Sequence, residues 1–88
     1  MPSIRDLKKD INHVLGDIIE RIYVWELENS KGDLKKSEAL IDETIQTFDE
    51  LIVKVSDRAV ESRSDHLKSV SRELEDRGQK LIDKLSKL

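Results

Sequence analysis

The chain has 88 residues, 36% of them apolar and 40% charged, with a formal net charge of −3 and no cysteine. That length fits one domain. The lack of cysteine removes disulfides, thiolate metal sites and cysteine nucleophiles, and the slight acidity argues against general nucleic-acid binding, which uses a basic face.

With only three Gly and one Pro, long and little-interrupted helices are expected. Ser3, three residues ahead of Asp6, makes a capping-box-like start. Apolar residues then recur at Ile4, Leu7, Ile11, Val14, Leu15, Ile18, Ile22 and Trp25, steps of three and four that predict a first helix over residues 3–28. The stretch "NSKGD", residues 29–33, ends it with turn and cap formers. Leu34, Leu40, Ile41, Ile45, Phe48, Leu51, Ile52 and Val55 fall within an arc of about 140° and predict a second helix over 34–57.

The pattern blurs at "SDRAVESRSD", and it leaves open whether residues 57–64 form a loop or continue a helix. Ser62 and Asp65 repeat the capping-box-like start. Leu67, Val70, Leu74, Leu81, Leu85 and Leu88 then predict a third helix over 62–87. Its apolar arc is narrower and Arg77 sits beside the seam, so this helix is expected to bind the others less firmly. Short connections make sequential helices antiparallel, giving an all-α fold, an antiparallel up-down-up three-helix bundle over residues 1–88. A helical hairpin with a long partner helix, paired in a dimer, is the rival.

Few positions suggest chemistry. Asp6, Asp10, His13 and Asp17 project within about 60° of one another on helix 1. Asp10 and His13 have the i, i+3 spacing by which one helix offers two metal ligands, but the strip points away from the apolar seam and has no second copy, so it reads as a solvated acidic face. No Gly-x-Ser-x-Gly elbow surrounds Ser56, Ser62, Ser64, Ser69 or Ser71. There is no Gly-x-Gly-x-x-Gly or Walker-type loop; "SKGDLKK" carries one glycine before helix 2 and reads as a polar turn. The basic residues of helix 3 are spread around it and offset by acidic neighbours. No run approaches the roughly 18 apolar residues of a membrane span, and the polar faces are mixed in sign, so neither nucleic acid nor membrane is an expected partner. The start lacks an apolar signal region. The final "SKL" has the form of a peroxisomal address, but Leu88 also completes the stripe of Leu81 and Leu85.

The scarce aromatic residues divide into two directions. Trp25 projects within about 20° of Ile18, with Ile22 nearby, and is expected in the core. Ile19, Tyr23 and Leu27 form a second apolar line turned away from that seam, with Gly16 behind them leaving room for another helix. These three are the candidate partner surface, for a protein partner or for self-association. Gly78, inside the third helix, is expected to make room for the indole of Trp25 at a helix-propensity cost of roughly 1 kcal/mol.

The segments "SIRDLKKDINHVLGDIIE", "IDETIQTFDELIVKV" and "HLKSVSRELEDRGQKLIDKL" resemble those of short, uncharacterised all-helical bacterial proteins of Bacteroidetes type. That resemblance covers most of the chain, implies a bacterial cytoplasmic setting, and brings no activity, cofactor or site residue with it. The expected role is a non-catalytic bundle acting through protein contacts, without a cofactor. The alternatives are a metal- or small-ligand-binding bundle using the strip on helix 1, and an acidic regulator of a basic partner.

Overall fold

The computed structural model describes residues 3–57 and 62–88. These residues form three helices, α1 (Ile4–Glu28), α2 (Lys35–Ser56) and α3 (Arg63–Ser86), and no strand. The chain is all-α, and each helix touches both others. The molecule is a rod measuring 50 × 17 × 17 Å. Of the segment the sequence leaves open, Asp57 caps α2 and Ser62 caps α3; residues 58–61 lie outside the described residues.

The helix starts follow from side-chain chemistry. Ser3 Oγ accepts from the Asp6 amide at 3.1 Å, and Ser62 Oγ accepts from the Asp65 amide at 3.4 Å, each satisfying a donor that has no partner inside its helix. At α2 the cap position is Leu34, which offers no side-chain bond. Asp33 serves instead, accepting from the Lys35 amide at 2.9 Å. In each first turn an acidic residue, Asp6, Glu38 or Asp65, faces the positive end of the helix dipole.

The core runs the length of the rod. Leu7, Ile11, Leu15, Ile18 and Ile22 of α1 are buried against Leu40, Leu51 and Val55 of α2 and Leu67, Val70, Leu74 and Leu81 of α3. Each side chain of this size contributes about 1.5–3 kcal/mol when fully buried. Leu85 and Leu88 pack half-buried against the same cluster.

Helix α2 departs from the expected seam. Its buried residues include Ser37, Thr44 and Thr47, while Ile45, placed in the apolar arc by the sequence pattern, is 46% exposed. At 100° per residue, the centre of the buried stripe lies about 50° from the centre of the apolar stripe. The threonine hydroxyls make this rotation possible: Thr44 donates to the Leu40 carbonyl and Thr47 to the Glu43 carbonyl, both at 2.8 Å. With their protons used inside α2, they enter the core without an unpaired polar group.

The contact between α2 and α3 is rimmed by charge. Lys54 pairs with Glu73, Arg77 with Glu50, and Lys84 with Glu43, at 2.6–2.7 Å. Arg77, which the sequence places beside the seam, is half-buried and also donates to Thr47 Oγ1 at 3.3 Å. His66 Nε2 lies 2.6 Å from the Lys54 carbonyl. A carbonyl only accepts, so Nε2 carries the proton, and α3 thereby covers the last turn of α2.

Arg77 also governs an acid response. Its hydrogen bond, and then its charge, hold the Glu50 carboxyl below its ordinary value of 4.5. A carboxylate with a depressed folded pKa adds stability above its unfolded pKa, and that contribution disappears as pH falls through the folded value. Stability is therefore expected to decline as pH drops below about 4.5, and Arg77→Met is expected to make that part of the decline shallower. Urea midpoints measured from about pH 6 to pH 3 check this; parallel curves for the two proteins would exclude the Arg77–Glu50 link.

Candidate partner surface

The line proposed on α1 is divided by the structure. Ile19 is half-buried, whereas Tyr23 is 53% and Leu27 78% exposed. Two contacts orient the helix. Glu26 Oε2 accepts from Ser37 Oγ of α2 at 2.7 Å, and Val14 is the neighbour that a Cβ on Gly78 of α3 would meet, at 3.5 Å. Turning at about 100° per residue, Ile19 and Tyr23 lie on the α2 side of α1, on the flank away from α3.

The matching flank of α2 was not foreseen as surface. Glu43, Thr47, Glu50 and Lys54 all reach α3. Their opposite edge carries Ile41, Phe48 and Ile52, each half-buried and packed against the core, and the exposed Ile45. The two helices thus turn apolar edges to one common face, the face that α3 leaves uncovered. Leu27 stands further round α1, in its last turn. The legible signal for the α2 edge was an apolar arc wider than one seam needs; the substitution of threonines at the true centre of burial concealed it.

Gly16 belongs to this face. A Cβ added there would meet nothing within 4 Å, so no contact inside the molecule requires a glycine. Trp25, expected in the core, is only half-buried and is absent from the buried cluster. The expectation that Gly78 accommodates its indole is also corrected, because the side chain that an added Cβ would meet is that of Val14, and Trp25 does not come within 4 Å.

The strip proposed for a metal stays on the surface. Asp6, Asp10, His13 and Asp17 are all exposed, and Asp17 pairs with Arg21 at 3.1 Å. Asp10 and His13 edge a groove whose floor includes Val14, Leu74 and Gly78. Among the described residues no group of three or more His, Asp or Glu side chains is placed to hold a metal ion. Among the same residues no helix is long and apolar enough to cross a membrane. The chain matches no family model, no curated protein and no solved structure.

Proposed function

We propose that this chain is a non-catalytic, up-down-up three-helix bundle that works by binding protein through the face shared by α1 and α2, in the bacterial cytoplasm that the resemblance implies. The observation that carries the reading is the offset on α2. Its apolar stripe is broader than its fully buried stripe, and Ile41, Ile45, Phe48 and Ile52, which lie outside the latter, fall on the flank that Ile19 and Tyr23 occupy on α1, while Val24 and Val53 are exposed elsewhere. Single exposed apolar residues are ordinary, but a contiguous apolar face rimmed by charge is the usual mark of a contact surface.

Three ion pairs and one hydrogen bond support the up-down-up arrangement. Glu43, Glu50 and Lys54 pair with Lys84, Arg77 and Glu73, so numbers rise along α2 as they fall along α3, as antiparallel neighbours require. Ser37 meets Glu26 close to the first turn, as in a hairpin. Helices α1 and α3 then run parallel with Val14 level with Gly78.

A photo-crosslinking amino acid in place of Tyr23, expressed in the native host, is expected to form adducts with protein. The same group at Asp76, on the outer side of α3, is expected to give none. Equal labelling from both positions, or none from position 23, would refute this face as the working surface.

A further inference from the structure

We infer that the α1–α2 face binds a second copy of this chain, with the two α1 helices packed antiparallel about Gly16 in a two-fold symmetric dimer. This inference rests on the reading of that face as a protein-contact surface.

Charge identifies the occupant. On the same side of α1 as Ile19 and Tyr23, the N-terminal half carries Arg5, Lys8 and Lys9, and the C-terminal half is edged by Glu20. The adjoining edge of α2 carries Glu38 and Asp42, near the turn that links it to α1, and Asp49 further along. All seven are exposed, and among the described residues none enters an ion pair. The face is therefore basic at one end and acidic at the other, with one acidic residue, Asp49, among the apolar ones between. A copy laid on it in parallel would set like charges together. A copy rotated by a two-fold axis sets Arg5, Lys8 and Lys9 of each chain against Glu20, Glu38 and Asp42 of the other. One surface then serves both sides, which is the isologous contact of a closed dimer.

One further observation agrees. Gly16 sits between the basic and acidic halves of α1, where the helices would cross. It faces open space in the single chain, so its helix-propensity cost is unexplained there, while a glycine at a crossing lets backbones approach closely.

Sedimentation equilibrium of the purified chain is expected to show the mass doubling with concentration, and the dimer weakening in high salt. Tyr23→Glu should raise the dissociation constant about tenfold or more with helicity retained. Lys9→Glu and Glu20→Lys should each raise it about threefold to tenfold, and the double variant should recover most of the loss, because each charge meets its opposite on the other copy. Gly16→Ala should raise the melting temperature of the monomer by about 4–8 °C yet weaken the dimer. A chain that stays monomeric at all concentrations overturns the inference. If position 23 still crosslinks a different protein, the contact-surface reading stands and only self-pairing fails. A dimer that ignores Tyr23→Glu and the charge swap also overturns it, since another surface would then be in use.

Discussion

Leu15→Ala is expected to lower the stability of the fold by about 3 kcal/mol, within the range of about 2–5 kcal/mol seen when buried leucines are truncated. Leu15 is fully buried and lies midway along α1. Truncation removes the transfer free energy of the lost carbons and leaves a space that three rigid helices close only in part. Domains of this length have a total stability of roughly 4–13 kcal/mol, so the change takes a large share of it. With a urea slope of about 1.5 kcal/mol/M, the unfolding midpoint should fall by about 2 M. The measurement belongs at low protein concentration, where association does not add to stability. Ile45→Ala in the same assay should change the midpoint little, because that side chain is 46% exposed. Equal losses from the two variants would contradict the assignment of one to the core and the other to the surface.

Gly78→Ala should act in the opposite direction, raising stability by about 1 kcal/mol. The residue is buried inside α3, where glycine gives up more chain entropy on folding than alanine does. The new Cβ would lie 3.5 Å from Val14 Cγ1, an ordinary contact that adds packing and displaces nothing. In a domain of this size the gain corresponds to a rise of about 4–8 °C in melting temperature. Tryptophan fluorescence should be unchanged, because Trp25 is not within 4 Å of the new carbon. A fall in stability, or a shifted emission maximum, would mean that the two helices cannot take the methyl group without moving apart.

The sequence carried α1 well and α2 only in outline. On α1 the apolar residues at steps of three and four, Leu7, Ile11, Leu15, Ile18 and Ile22, are the buried ones, because this helix has no polar side chain at the centre of its seam. On α2 the centre is held by Ser37, Thr44 and Thr47. A pattern of apolar positions cannot register a hydroxyl whose proton is used within its own helix, so it placed the seam towards Ile45. Tyr23 and Ile19 were legible as a line apart; Ile41, Phe48 and Ile52 were counted with the core and do pack against it, while Ile45 is exposed. Trp25 was misplaced as well: helical angle says which way a side chain points, not how fully its surroundings cover it, and this one is half-buried.

The distribution of ion pairs gives the rod two unlike seams. Three pairs bridge α2 and α3, while among the described residues the only pair on α1 is internal, between Arg21 and Asp17. Exposed pairs are individually weak, but they share one dependence, since at 1 M salt the screening length is only about 3 Å. Apolar burial does not fade in that way. Added electrolyte should therefore loosen α3 along its charged border while leaving the grip between α1 and α2 nearly untouched. The pair formed by α1 and α2 is the ionic-strength-indifferent part of the molecule, and the third helix is its adjustable strut.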